Sequence, residues 1–300
     1  MLIAACVVVF LLGFGVAILI SSKSKSSKVF SKALSAWLPT RQSQSYHEDT
    51  QRTDNDVLLT KAQCEAFPPV SWQKQAYDNV KSILLAEDEA AEKFPCIYAT
   101  AGYRQNQHRY VFLHSADSSE PRNIRLIANA LRTFRPLSHS LGPNTSLLLV
   151  HPPTKENHSV EKYRQCFWQI LRGLRTCDSE SWPAEIPTDV NAAKWMFCFD
   201  GAPWFFAAMT PAHEQRQSRH ASNFIVAVQP RWVFDHLFRT PEMRRHAVEA
   251  VRKLIPFYDT VDISPDLAAY GDEGSTEAHQ YYLLDDNETA ACPYNDLDAS

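Results

Sequence analysis

The hydrophobic positions of the chain repeat with two periods, one typical of helices and one typical of strands. Apolar residues recur every three or four positions from Trp72 to Leu84 and from Tyr163 to Leu174, which predicts two amphipathic helices. A third helix is predicted from about Arg122 to Arg135. A fourth is predicted from Thr240-Pro241 to about Leu254, because a hydroxyl residue followed by proline is a common helix start.

Short runs of β-branched and aromatic residues predict the strands. Trp195–Phe199 and Pro203–Ala208 are expected to pair as a hairpin, because Asp200-Gly201 accepts the positive φ values of a tight turn. The other predicted strands are 94–98, 109–114, 146–150, 223–228 and 281–284. Helices interleaved with strands and one hairpin predict an α+β fold of mixed α/β layers, in which a single globular domain has a mixed sheet and flanking helices.

The chain begins with a long apolar run. Residues 2–20 carry no charge, and three lysines follow within the next eight residues. At about 1.5 Å per residue, a helix of this length spans a hydrocarbon core of roughly 30 Å. The positive charges follow the run, which favours an uncleaved anchor over a secretory signal and places the remainder in the cytosol. We therefore expect a transmembrane helix at residues 1–21 of a single-pass protein, with the endoplasmic reticulum as its membrane.

Composition divides the rest of the chain into two parts. Residues 22–56 are rich in Ser, Gln, Lys and Thr, so they cannot bury enough surface to offset the entropy cost of ordering and are predicted to be a flexible linker. Residues 57–300 are predicted to form one catalytic domain, since 300 residues with 45% hydrophobic content suit one sizeable core. The net charge of −4 predicts no nucleic-acid partner.

Several common enzyme motifs are missing from the sequence. The eight glycines form neither a G-x-G-x-x-G turn nor a Walker loop, so dinucleotide or ATP binding by those devices is excluded. A G-x-S-x-G elbow and a C-x-x-C pair are also absent. His213-Glu214 begins like the H-E-x-x-H motif of zinc proteases, but Gln217 occupies the position of the second histidine. Zinc hydrolysis is therefore not predicted.

A polar loop between two aromatic-rich runs is the strongest candidate site. It carries His213, Arg216 and Arg219, and Arg231 follows the next apolar run. Loops held by rigid strands often carry binding sites, and guanidinium groups bind carboxylates or phosphates through two parallel hydrogen bonds. If the protein binds no cofactor, there are two alternatives. It could be a membrane-tethered binding module or a transferase, and in both cases these arginines would bind an anionic ligand. They could equally form solvated surface ion pairs.

An ordered set of short motifs between about Phe94 and Asp286 resembles the YqcI/YcgG family. The set includes Phe94-Pro95-Cys96, Phe167-Trp168, Trp182-Pro183, Thr210-Pro211, Arg216-x-x-Arg219, Gln229-Pro230-Arg231, Tyr258-Asp259, Tyr270-Gly271-Asp272 and Gln280-Tyr281. That family includes haem-dependent oxygenases that hydroxylate a guanidino nitrogen of arginine or of related substrates. The resemblance implies haem b, O₂ with an external electron donor, and a small-molecule substrate. We therefore expect N-hydroxylation of a guanidino or amino nitrogen in specialised metabolism, with electrons from a reductase.

The resemblance also implies where iron would bind. The family pattern has His-Pro where this chain has Thr210-Pro211, so Thr210 and the nearby His213 are the predicted catalytic residues. His213 and Cys96 are the candidate iron ligands. A neutral imidazole gives a ligand of the globin type, whereas a thiolate donates electron density that favours O–O cleavage. Both residues have a plainer interpretation, since a Cys is often buried core and a His can cap a turn.

The remaining predicted contacts concern the ends of the cofactor and the substrate. Arg216, Arg219 and Arg231 would suit the haem propionates, and Trp204 would line a flat apolar pocket, although such a residue is more often plain core. Asp272 and Asp285 could hold a cationic guanidino or amino group, although an acidic pair near a terminus is usually solvated. Tethering beside a membrane reductase would raise the effective concentration of the electron donor.

Overall fold

Five short apolar segments form one mixed β-sheet in the computed structural model, which describes residues 57–86, 92–268, 270–290 and 292–293. The strands are β1 (Arg109–Phe112), β2 (Leu147–Val150), β3 (Phe197–Phe199), β4 (Ala202–Met209) and β5 (Ile225–Pro230). Their order across the sheet is β1-β2-β5-β4-β3, and only β1 and β2 run parallel. The predicted mixed sheet is confirmed.

Eight α-helices flank this sheet in the described part of the chain. They are α1 (Lys61–Glu65), α2 (Trp72–Leu85), α3 (Ile97–Arg104), α4 (Pro121–Leu141), α5 (Val160–Thr176), α6 (Arg231–Leu237), α7 (Pro241–Tyr258) and α8 (Glu277–Tyr281). The four predicted helices are confirmed as α2, α4, α5 and α7. Thr240 caps α7 as expected, since its side chain accepts the N–H of Met243 at 3.2 Å.

The predicted hairpin between β3 and β4 is also confirmed. Asp200 and Gly201 at its turn have φ angles of 56° and 66°, which is the left-handed conformation that Gly adopts at no cost and Asp tolerates. The indole N–H of Trp204 donates to the carbonyl of Phe199 at 3.0 Å. Successive side chains of β4 point to opposite faces of the sheet, so alternate residues share a face.

One face of the sheet carries the main apolar core. Trp204, Phe206 and Ala208 of β4 pack there against α4 and α5, and all three are buried. The ring of Trp204 stacks on Phe134 of α4 with their centroids 6.5 Å apart. Val57, the first residue that the structure describes, is buried in the same core.

The opposite face divides between two groups of helices. Near β1 and β2 it packs against α1, α2 and α3 through Tyr110, Phe112 and Leu148. Near β4 and β5, side chains of α6 and α7 stand opposite the sheet across a cavity. Phe205, Ala207 and Met209 alternate with the core residues of β4, so they line this second face.

Two predicted strands are wrong. Residues 94–98 lead into helix α3, with Cys96 at its N-cap position, and residues 281–284 begin with the end of helix α8. A short aromatic run does not distinguish a strand from one or two buried helical turns, since both place apolar side chains inside. The carbonyls of Leu283 and Leu284 accept hydrogen bonds from side chains of a distant loop rather than from a neighbouring strand.

The prediction about the membrane is corrected. No helix among the described residues is long and apolar enough to cross a bilayer. The predicted transmembrane helix, residues 1–21, and the predicted linker, residues 22–56, both lie outside the described residues. A transmembrane helix preceding the domain and a single-pass membrane location are therefore not supported.

Candidate functional site

A cavity of about 310 Å³ lies between the second face of the sheet and helices α2, α3, α6 and α7. Its sheet side is formed by Phe205, Ala207, Met209 and Ala227, and its helix side includes Val251 of α7. The volume is at the lower end of the range typical of small-molecule and cofactor sites, which are also mostly apolar with a few placed polar groups. This cavity is therefore the candidate functional site.

A small set of polar side chains interrupts the apolar wall. It includes Cys96, His108, Ser218, Arg219, Gln229 and Glu277. These residues come from separate parts of the chain and meet only through the fold. Among the described residues no group of three or more His, Cys, Asp or Glu side chains is arranged to hold a bare metal ion.

Cys96 brings a thiol to the cavity. It stands at the N-cap position of α3 and keeps part of its surface accessible, although its sulfur makes no capping hydrogen bond. Burial raises the pKa of Cys96, whereas the first-turn N–H groups of Ala99 and Tyr98 and the positive charge of Arg219 oppose that rise. The free thiol is therefore protonated at pH 7, and a metal ion that binds the sulfur would displace its proton.

His108 is a buried imidazole at the same end of the cavity. One ring nitrogen, Nε2, lies 2.8 Å from the carbonyl oxygen of Ala99, whereas Nδ1 has no hydrogen-bond partner in the described structure. Burial lowers the pKa of His108 to about 4, so the ring is neutral at pH 7. Gly102 allows this packing, because a Cβ there would lie 2.5 Å from Cε1 of His108 and 2.2 Å from the carbonyl oxygen of Asn144.

Glu277 places a carboxyl group in the apolar wall. Its residue is only 3% exposed, and among the described residues its single side-chain hydrogen bond comes from Nε2 of Gln280 to Oε1 at 3.3 Å. Burial, with a smaller contribution from the negative charge of Asp272, raises the pKa of Glu277 to about 8. A strongly perturbed carboxyl group in a cavity is typical of a functional position.

Arg219 is the positive counterpart in the wall. It ends a short 3₁₀ turn, Gln217–Arg219, and donates from Nη2 to the carbonyl of Gln280 at 3.2 Å. Burial and the charge of Arg216 lower the pKa of Arg219 to about 10, and the charge of Asp259 opposes them. No carboxylate of the described chain lies within ion-pair distance of Arg219. Its guanidinium can therefore donate hydrogen bonds to an anionic group of a ligand.

The basic loop owes its shape to the chain segment that follows α8. The carboxylate of Asp285 accepts three consecutive backbone N–H groups, those of residues 214, 215 and 216, at 2.8 to 3.1 Å. Arg216 is fully buried and donates to the carbonyls of Leu284 at 2.8 Å and Asp286 at 2.7 Å, and to Oδ1 of Asn287 at 2.8 Å. Asp285 and Arg216 therefore hold the loop in place, and neither side chain lines the cavity.

His213 and Thr210 are likewise engaged within the protein. Nδ1 of His213 lies 2.8 Å from Oγ1 of Thr210, and Nε2 lies 2.9 Å from the carbonyl oxygen of Leu283. Both residues are fully buried, and burial lowers the pKa of His213 to about 4. With both ring nitrogens occupied, His213 has no lone pair for iron in this arrangement, so the prediction of a catalytic Thr210–His213 pair and of a His213 ligand is not supported.

Trp204 lies away from the cavity, on the other face of the sheet. It alternates along β4 with Pro203 and Phe205, and Phe205 is the neighbour that faces the cavity. The indole of Trp204 is fully buried in the main core, where it stacks on Phe134. The flat pocket that the sequence predicted beside Trp204 is therefore filled by packed rings.

The two other predicted contacts, Arg231 and Asp272, are engaged outside the cavity wall. The guanidinium of Arg231 lies over the ring of Tyr270, 4.7 Å from its centroid. The carboxylate of Asp272 forms an ion pair with Arg244. Neither side chain lines the cavity, so the structure does not place them where the sequence predicted a propionate or a substrate.

Of the nine predicted site residues, the cavity brings together only Cys96 and Arg219. The sequence did not single out His108 or Glu277, although both line the cavity. A lone histidine before a strand and a lone glutamate at a helix start carry no spacing signal. Their burial, at 2% and 3% exposure, depends on contacts with distant segments.

Filling the cavity tests whether it is the functional site. Ala207→Phe would project a ring from β4 into the cavity, so we expect loss of ligand binding and of activity. Because the ring fills empty space, the melting temperature should be at least equal to that of the wild type. Binding titration and thermal unfolding measure the two effects. Unchanged ligand binding would show that the site lies elsewhere.

Comparison with known proteins gives one family. The YqcI/YcgG family matches residues 81–295. The uncharacterized protein YcgG of Bacillus subtilis (strain 168) is 35% identical over 232 residues, which cover 75% of this chain and 89% of YcgG. The uncharacterized protein YqcI of the same organism is 33% identical over 227 residues, covering 74% and 87%.

A third relative carries a name that describes an activity. DcsA of Streptomyces lavendulae, named as a proposed N(omega)-hydroxy-L-arginine synthase, is 27% identical over 231 residues, covering 74% of this chain and 84% of DcsA. No solved structure gives a significant match.

Proposed function

Because the chain belongs to the YqcI/YcgG family, we propose that it is an enzyme that hydroxylates a guanidino nitrogen of a small arginine-like substrate. The name of DcsA supports the reaction class. The observation that carries the proposal is the apolar cavity whose wall includes a partly accessible cysteine, a half-buried arginine and a buried carboxyl group. Oxygen chemistry suits such a site, because apolar walls keep water from the reacting groups.

Two residues of the cavity wall support a bound haem. Cys96 is the thiol among the described lining residues, and Arg219 lacks a carboxylate partner in the described chain and suits a propionate. A bound haem would supply the activation of O₂, and a thiolate ligand favours that chemistry. His108 stays neutral beside this end of the cavity, so it adds no positive charge.

The overall reaction balances with an external reductant. One oxygen atom of O₂ forms the new N–O bond and the other leaves as water, with two electrons and two protons from the donor system. The chain binds the substrate in the cavity and excludes water through the side chains of β4 and α7. The arginine loop gives less support to a haem-free anion-binding module, because the guanidinium of Arg216 already donates hydrogen bonds to oxygen atoms within the protein.

Product formation tests the proposal directly. We expect the full chain, expressed with a haem precursor and supplied with O₂, an electron-donor system and L-arginine, to form a product heavier by one oxygen atom in mass spectrometry. An anaerobic reaction should give none. Absence of any oxygenated product from L-arginine or related guanidino compounds would reject the proposed function.

Replacement of Cys96 tests the cofactor. Cys96→Ala should remove the haem absorption band or shift it strongly, because the thiolate is the proposed ligand. Cys198→Ala is the matched control, since the thiol of Cys198 packs in a separate apolar cluster with Ile186 and Met196 and does not line the cavity. Identical spectra for the wild type and Cys96→Ala would contradict ligation by Cys96.

A further inference from the structure

The carboxyl group of Glu277 is placed at an energetic cost that the fold itself does not offset. It lies in an apolar wall, and no cationic side chain of the described residues stands within ion-pair distance of it. Burying a carboxyl group without a charged partner is unfavourable. Glu277 begins helix α8, where Thr276 already caps the helix by accepting the N–H of Ala278 at 3.3 Å, so capping does not require Glu277.

The surroundings of Glu277 leave room for one kind of partner. Gln280 donates to Oε1, and the other interacting groups are Asp272, Tyr270 and Tyr281. Burial raises the pKa values of both tyrosines, so they are neutral at pH 7, and Asp272 is negative. The carboxyl group of Glu277 therefore has no cationic side chain of the described residues beside it, and a cationic ligand would complete the site.

We infer that Glu277 binds the cationic guanidino group of the substrate. The inference rests on the proposed function for the class of substrate, and it assigns a residue to recognition of the reacting group. A guanidinium presents paired N–H donors that match the two oxygens of a carboxylate. Gln280 is a positioning residue, since its amide holds Oε1 of Glu277 and its carbonyl accepts Nη2 of Arg219.

The assignment predicts discrimination between a charged and a neutral ligand. L-Arginine and L-citrulline have nearly the same shape, but citrulline carries a neutral urea group. We expect Glu277→Gln to weaken L-arginine binding to the full chain by about 30-fold or more, because it removes one partner of a buried charge pair. Binding of L-citrulline should change little, and calorimetric titration measures both.

Glu249→Gln is the matched control. It makes the same side-chain change on the exposed surface of α7, where Glu249 lies 3.9 Å from Arg245 and outside the cavity wall, so it should leave L-arginine binding nearly unchanged. A second readout needs no variant. Glu277 is mostly protonated at pH 7, so wild-type binding of L-arginine should release a proton and binding of L-citrulline should not. Calorimetry in buffers of different ionisation enthalpy detects that proton.

The outcomes separate this inference from the proposed function. Equal losses for L-arginine and L-citrulline in Glu277→Gln, no loss for either, or no binding of L-arginine to the wild type would overturn the assignment of Glu277. If Glu277→Gln loses affinity for L-arginine but not for L-citrulline, and the wild type forms no oxygenated product, the proposed hydroxylation is rejected and the assignment of Glu277 stands. If the wild type forms the oxygenated product but Glu277→Gln does not lose affinity for L-arginine selectively, the assignment of Glu277 is rejected and the proposed function stands.

Discussion

Replacing Arg216 with alanine is expected to lower the free energy of unfolding by about 3–5 kcal/mol, the cost of breaking a buried charged network by removing one partner. Arg216 is fully buried, and its guanidinium satisfies the carbonyls of Leu284 and Asp286. It also lies 3.8 Å from the buried carboxylate of Asp259. Alanine would leave these acceptors without a donor, and denaturant unfolding at pH 7 measures the loss.

Arg231→Ala is the comparison for this effect. Arg231 lies 3.5 Å from Asp235 in a partly exposed pair and covers the ring of Tyr270, so its loss should cost about 1 kcal/mol or less. Arg216→Lys should not restore stability, because a single ammonium group cannot reach the acceptors that the planar guanidinium spans. Similar losses for the two alanine variants would show that the buried network does not stabilise the loop.

The sequence predicted the elements whose signal is local. The amphipathic periods of α2 and α5 and the Asp200-Gly201 turn depend on neighbouring residues, and each is confirmed. The region after Glu277 was misassigned because Leu283 and Leu284 pair with side chains about 70 positions away. Such pairing leaves no periodic pattern in the sequence.

The candidate site was harder to predict for the same reason. The concentration of arginines predicted a site in this loop. Of the predicted arginines only Arg219 lines the cavity, whereas Arg216 donates to the segment after α8. The charge and spacing of arginines in a sequence do not show which of them will donate its hydrogen bonds to backbone carbonyls. The sequence also carries no signal that Glu277 is buried, because a glutamate at the start of a helix is ordinarily solvated.

The contribution of Glu277 to the free energy of unfolding is expected to fall by about 3 kcal/mol as the pH rises from 5 to 8. Burial raises the pKa of Glu277 from 4.5 to about 8 in the folded chain. Between these values the folded state holds a proton that the unfolded state has lost. Raising the pH therefore favours unfolding until the folded carboxyl group also ionises near pH 8.

Glu277→Gln isolates this contribution, since glutamine is neutral at every pH in the range. The stability difference between the variant and the wild type should grow in favour of the variant from pH 5 to 8. Three buried histidines, His108, His151 and His213, have pKa values lowered to about 4, so they destabilise the fold as the pH falls below 6.5. Both proteins share them, so the difference curve cancels their effect, and a flat curve would contradict a neutral, buried Glu277.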